Sequence, residues 1–247
     1  HRIARRQRQM CIRDRLILDE IDTSKLTYEQ KIYFKNLKNW DYFAEVSNEN
    51  QVVFNEWWNN LYKNIWDEFD SLKYPYRKPN SFRTYKLIKE DKNSKFYDVI
   101  STSKNESLND LINKSFLEIT VKLDTFKKRN SLKKIKWDHY KNTTINHLLR
   151  IKSFSYDSVS IGGYRNILNA ASERHGPSFR LIVKLKQNEK TKAWGVYPGG
   201  QSGNIGSQNY FGEVENWGKG VYNKLLFNSN YMDNRNHIIF EKKYNIK

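Results

Sequence analysis

Five histidines, and two serines set in glycine-bearing turns, are the residues of this chain whose types suit acid–base or nucleophilic chemistry. His1, His139, His147, His175 and His237 stand apart, none at the H-x-x-x-H spacing that sets two imidazoles on one helix face, so no zinc centre is expected. His175 opens His175-Gly176-Pro177-Ser178, where an imidazole serves either as a general base or as a packed ring holding a turn; the small-residue setting favours the second. Ser202 lies in Pro198-Gly199-Gly200-Gln201-Ser202-Gly203-Asn204, without the G-x-S-x-G frame of a nucleophile elbow. Gly200, Gly203 and Gly206 follow G-x-x-G-x-x-G, which is not the dinucleotide fingerprint, and no Gly-Lys-Ser/Thr follows to cradle a phosphate. Asp138-His139 and Asp157-Ser158 supply the letters of a triad without its geometry. Asp67, Glu68 and Asp70 read as a solvated helix face rather than an acid–base pair. Pattern alone makes these glycine turns structural.

The elements that position them are two strands. Phe179, Leu181, Val183 and Leu185 alternate with Arg180, Lys184 and Lys186, the period of a half-buried strand. Gln187 to Thr191 forms a polar turn, and Ala193 to Tyr197 returns as a short apolar strand that Pro198-Gly199-Gly200 ends.

His175-Gly176-Pro177-Ser178-Phe179-Arg180 followed by Tyr197-Pro198-Gly199-Gly200-Gln201-Ser202-Gly203-Asn204 resembles the carboxy-terminal region of the penicillin acylase family. The resemblance takes in Trp40-Asp41, Trp57-Trp58, Asn146-His147-Leu148-Leu149, Gly162-Gly163, Asn169-Ala170-Ala171-Ser172, and Trp217 with Gly220, and so covers most of residues 26–227. Arg165 departs from it where a glycine is expected, and Ile205 stands where the family often has proline.

The resemblance implies an α+β fold: helices plus the last antiparallel strands of an αββα N-terminal-nucleophile hydrolase sandwich, incomplete in this chain. Such enzymes are cleaved into α and β chains, and the new β-chain N-terminal serine attacks an amide with its own α-amine as base. Neither His1, Ser178 nor Ser202 fills that role, so the chain is expected to be inactive alone. Its expected partners are the α chain, the amino-terminal part of the β chain and a small acyl-amide substrate. The motif residues from His175 and Pro198 onward are then structural. The resemblance implies export to the periplasm or medium. Calcium is known in relatives, but no residue cluster here carries its ligands over, and no cofactor is expected in this portion.

Residues 1–15 stand apart. Arg5 to Arg15 reads back through its codons as a sequencing-library adaptor translated in frame, which makes 1–15 a leader outside the fold of 16–247. Arg5 to Arg15 holds five arginines, one aspartate and the chain's only cysteine; without those residues the formal charge falls from +17 to +13 and no thiol chemistry is left.

Helices are expected over Thr27–Trp40, with Ile32, Tyr33, Leu37 and Trp40 inward, and over Ser47–Phe69, where Phe54, Trp58, Leu61, Ile65 and Phe69 recur at three- and four-residue steps. Asn48 with Gln51 is a candidate capping pair. A short helix is expected near Tyr85–Lys89, and another over Ser107–Lys128 with Phe126 among its inward residues. Trp137–Asn169 reads as irregular chain with short strands. A helix over Tyr210–Trp217, a strand over Tyr222–Phe227, a loop over Asn228–Asn236 and a strand over His237–Tyr244 complete the reading. No run approaches the ~20 apolar residues of a membrane helix.

Net positive charge with 15% aromatic residues leaves one competing class, a basic nucleic-acid-binding module, and a catalytically dead acylase-like binding protein is a third reading. Against the nucleic-acid reading, the strongest aromatic stripe lies on an acidic helix, and lysine outnumbers arginine outside the leader. The basic cluster from Lys127 to Lys136 reads as a solvated helix end.

Overall fold

Thr27 starts the first helix, α1 (Tyr28–Lys38), with a closed capping box: its hydroxyl accepts from the Gln30 amide, and the Gln30 side chain accepts from the Thr27 amide. The computed structural model describes residues 15–70, 72, 76–165, 167 and 169–225. Tyr33 and Leu37 face inward as expected, but Ile32 is exposed. The second helix, α2 (Glu49–Ile65), is capped by Asn48, which accepts from the Asn50 amide at 2.9 Å. The expected partner Gln51 does not close the cap; it turns inward and is 0% exposed.

The third helix, α3 (Ser81–Glu90), is longer than expected because Asn80 caps it by accepting from the Arg83 amide. The fourth, α4 (Leu108–Arg129), carries the Ser107–Asp110 capping box. Phe126 lies partly exposed against Tyr140, where inward packing was expected. A short fifth helix, α5 (Trp137–Lys141), opens the stretch read as irregular and ends at Asn142 with φ 49.

Two compact units follow from the packing. The first takes the described residues up to Asn142 together with Ile161–Glu173. Its core lies between α2 and α4. Trp57 is fully buried there, meets Phe116 edge-on at 5.2 Å and donates its indole N–H to the Ile112 carbonyl at 3.1 Å. Truncating such a side chain costs about 3–5 kcal/mol. The stripe of Phe54, Trp57 and Trp58 is therefore core and offers no stacking platform. Gly162 and Gly163 serve this unit through their carbonyls: the buried Lys141 ammonium donates to those of Ile161 and Gly162, both at 2.8 Å, and the Trp137 indole to that of Gly163.

The second unit takes Thr143–Ser160 and the described residues from Arg174 onward. Strands β1 (Thr143–Ile145) and β2 (Tyr156–Val159) pair antiparallel. Strands β3 (Arg180–Lys184), β4 (Lys192–Val196) and β5 (Asn223–Leu225) form an antiparallel sheet in the order β3-β4-β5, with Ile182 opposite Trp194 and Trp194 opposite Lys224. The sixth helix, α6 (Val214–Lys219), starts four residues later than expected, because successive turns such as Tyr210 to Ser207 and Val214 to Phe211 hold the chain before it. Helices and small antiparallel sheets make the chain α+β.

No described helix is long and apolar enough to cross a membrane. The leader assigned to residues 1–15 lies outside the described residues except for Arg15, whose guanidinium sits 5.6 Å from the Tyr42 ring centre. Ile17 is already fully buried. The loop over Asn228–Asn236 and the strand over His237–Tyr244 also lie outside the described residues.

Candidate functional site

The His175-Gly176-Pro177-Ser178 turn is shaped by Trp217. A Cβ on Gly176 would stand 2.6 Å from two ring carbons of that indole, so only glycine lets the turn lie on the ring face. The indole N–H donates to the Pro177 carbonyl at 2.8 Å, and the Arg180 guanidinium covers the ring at 5.3 Å. Trp217 is 1% exposed. Two motifs distant in sequence thus form one clamp, which explains why Gly-Pro and Trp occur together.

The second motif is also closed by its own backbone. Gly200 packs under the Asn209 carbonyl, which would lie 1.8 Å from a Cβ. The Ser202 hydroxyl accepts from the Asn204 amide at 3.1 Å, the Asn204 side chain accepts from the Gly206 amide at 2.9 Å, and the Gln201 amide donates to the Tyr197 hydroxyl. Gly199 accepts from the Glu213 amide at 2.8 Å, tying the turn to the start of α6. These are the bonds of a structural turn, and Ser202 spends its oxygen on one of them.

The two motifs part company around a cavity of about 330 Å³ in the second unit. His175, Gly176, Ser178 and Pro198 line it, joined by Asn146, His147 and Leu148 of the other quoted motif. Pro177 and the residues from Gly199 to Asn204 do not. His147 is held firmly. Its amide donates to Ser155 Oγ at 3.0 Å, its ring packs edge-on against Phe154 at 5.3 Å, and its Nδ1 accepts from the Leu149 amide at 3.3 Å. With Nδ1 accepting, a neutral ring carries its proton on Nε2.

Arg150 and Arg174 also line this cavity, and residue-by-residue reading passed over both. The available signal was weak: Arg150 directly follows the Asn146–Leu149 motif and Arg174 directly precedes His175, and only the fold closes β1–β2 and the His175 turn around one space. Lys141 was missed for the same reason, since nothing in its local sequence marks it as buried.

Of the acidic run, Asp70 is exposed as its sequence setting suggested, but Asp67 and Glu68 are half-buried rather than on a solvated face. Asp67 accepts from the Ile100 amide at 3.0 Å, and its other oxygen is buried, as is one oxygen of Glu68. Burial first, then the Asp67 carboxylate beside it, raises the Glu68 carboxyl above its ordinary range. Asp70 pairs with Lys78 at 2.7 Å. Asp138 turns its carboxylate to the His139 backbone amide at 2.8 Å, so this pair of letters makes a helix-end contact through the main chain. Among the described residues no group of three or more His, Cys, Asp or Glu is placed to hold a metal ion.

The folded chain is an α+β protein whose quoted motifs meet in a clamped turn and a cation-lined cavity. The penicillin amidase family model matches residues 4–234, a span that begins inside the segment read as a leader. The chain belongs to the penicillin amidase family, a family of amide hydrolases. No curated protein matches it.

Proposed function

We propose that this chain is the carboxy-terminal portion of an acylase-type amidohydrolase that cuts an acyl–amide C–N bond, as in a β-lactam side chain or an acyl-homoserine lactone. The observation that carries this reading is β3. Leu181 and Val183 lie on one face with the flanking Phe179 and Leu185, and the four are 52, 46, 51 and 75% exposed. Beyond β3 no further strand pairs among the described residues. Full burial of such side chains is worth about 1.5–3 kcal/mol each, so an open apolar edge of this size calls for a covering layer.

The α chain and the amino-terminal part of the β chain supply that layer in the whole enzyme. They also supply the reacting groups: an N-terminal serine whose α-amine, with an ordinary pKa of roughly 8, takes the hydroxyl proton, and donors that stabilise the oxyanion. This chain contributes the sheet edge, the Trp217 clamp and the outer helices. Export to the periplasm or medium accompanies this reading by family.

Coexpression of the upstream reading frame with this chain tests the proposal, using release of a chromophore from an acyl anilide as the readout. Turnover is expected only when both parts are present, and Leu181→Lys in this chain is expected to suppress it. Turnover by this chain alone, abolished by Ser178→Ala or Ser202→Ala, would overturn the reading; so would full activity of the upstream part without it.

A further inference from the structure

The cavity between β1–β2 and the His175 turn has a composition that the clamp does not require. Arg150 and Arg174 bring two permanent positive charges to its wall, His147 and His175 add two imidazoles, and no Asp or Glu is among its lining residues. Ser178 adds a hydroxyl. A guanidinium presents five N–H donors in a planar fork, so bonds that Arg174 makes elsewhere in the protein still leave donors to offer. Concave, cation-lined space of this kind concentrates small anions.

Two further features narrow the anion. Ile145, Leu148 and Pro198 form an apolar part of the wall, and Leu148 is 94% exposed there. Arg150 is held at φ 58, in the left-handed region, by a turn in which its amide donates to the His147 carbonyl at 2.8 Å. That conformation is uncommon for arginine and persists only where surrounding structure imposes it. A volume of about 330 Å³ is at the small end of ligand pockets. A tetrahedral inorganic anion would satisfy the cations but leave the apolar wall unused; a neutral apolar molecule would do the reverse.

We propose that this cavity is a binding site for a small organic monocarboxylate, with the carboxylate on the Arg150 and Arg174 guanidiniums and a short hydrocarbon tail against Ile145, Leu148 and Pro198. A carboxylate matches the arginine fork in a bidentate manner, and hydrogen bonds to charged groups are the strong ones. The site lies wholly within the second unit of this chain, so the proposal stands independently of the amidase reading. Its assay measures binding rather than turnover.

The test is isothermal titration of the full chain with hexanoate, hexanamide and inorganic phosphate at one ionic strength. Hexanoate is expected to bind at least about tenfold more tightly than either of the others, since one charge-assisted hydrogen bond or one apolar wall each decides about that factor. Arg150→Asn is the first variant, because Arg150 is exposed and asparagine tolerates the left-handed conformation. It should weaken hexanoate about tenfold, with Arg174→Gln giving a similar loss, while Lys122→Gln on α4 leaves affinity unchanged. Equal affinity for hexanamide would reduce the site to an apolar patch, and equal affinity for phosphate would reduce it to a diffuse anion surface; either overturns the proposal. Undiminished hexanoate binding by a folded Arg150→Asn protein overturns it as well.

Discussion

Gly176→Ala should destabilise the second unit far more than a glycine-to-alanine change in a surface turn. The new Cβ meets two carbons of the Trp217 indole at 2.6 Å, about an ångström inside normal contact, and the indole is 1% exposed with no space to retreat. Overpacking of this kind costs about 1–3 kcal/mol. If the ring shifts instead, its N–H leaves the Pro177 carbonyl, and an unsatisfied buried donor costs roughly 1–3 kcal/mol. One route or the other is taken, so the expected loss is about 1–3 kcal/mol. Urea unfolding followed by tryptophan fluorescence and circular dichroism measures it. Gly203→Ala is the control, since a Cβ there meets nothing within 4 Å, and it should change stability by less than about 0.5 kcal/mol. The offending atoms belong to the six-membered ring of Trp217, so Gly176→Ala in a Trp217→Phe background should cost at least about 1 kcal/mol less than in the native chain. Equal costs in both backgrounds, or a Gly176→Ala protein as stable as Gly203→Ala, would refute the clamp.

Gln51 is fully buried on α2 with neither amide atom hydrogen-bonded, so Gln51→Leu should stabilise the first unit by about 1 kcal/mol, read as a higher Tm; a lower Tm would show that the amide has a partner in solution. The folded state holds the Glu68 proton more tightly than the unfolded chain, so ionised Glu68 opposes folding above its raised folded pKa, and that opposition fades as pH falls through it. Glu68→Gln should therefore raise Tm more at about pH 8 than at about pH 4, and an equal change at both would refute the assignment. Leu181→Lys with Val183→Thr, on the open face of β3, should leave the isolated chain's Tm within a few degrees while reducing its self-association in sedimentation. Marked unfolding of that variant would mean the face is covered within this chain.

Local chemistry was legible without coordinates wherever a signal was completed within a few residues. Ser107 with Asp110 announces a helix start because a cap is closed over three residues. The Phe54–Ile65 periodicity marks α2, and the alternation from Phe179 to Leu185 marks β3, because helix and strand periods act on neighbours. The paired His175 and Pro198 motifs carried the family, and their glycines are tightly packed: Gly176 against Trp217 and Gly200 under Asn209. Side-chain direction was less legible at boundaries. Gln51 turned inward rather than capping, and Ile32 turned outward, since each choice is settled by what packs against the helix. Asp67 and Glu68 lost their solvated face to the Ile100 loop, which lies more than thirty residues away. Arg150 and Arg174 had only a neighbouring motif to mark them, and Lys141 had no local signature. Their surroundings are built by segments brought together only when β1 pairs with β2 and when Ile161 and Gly162 turn their carbonyls to Lys141. Sequence by itself determined the longest helices, the β3–β4 hairpin and the family, because those depend on spacing along the chain; tertiary structure alone decided which charges share a cavity and which are buried, because those depend on distance through space.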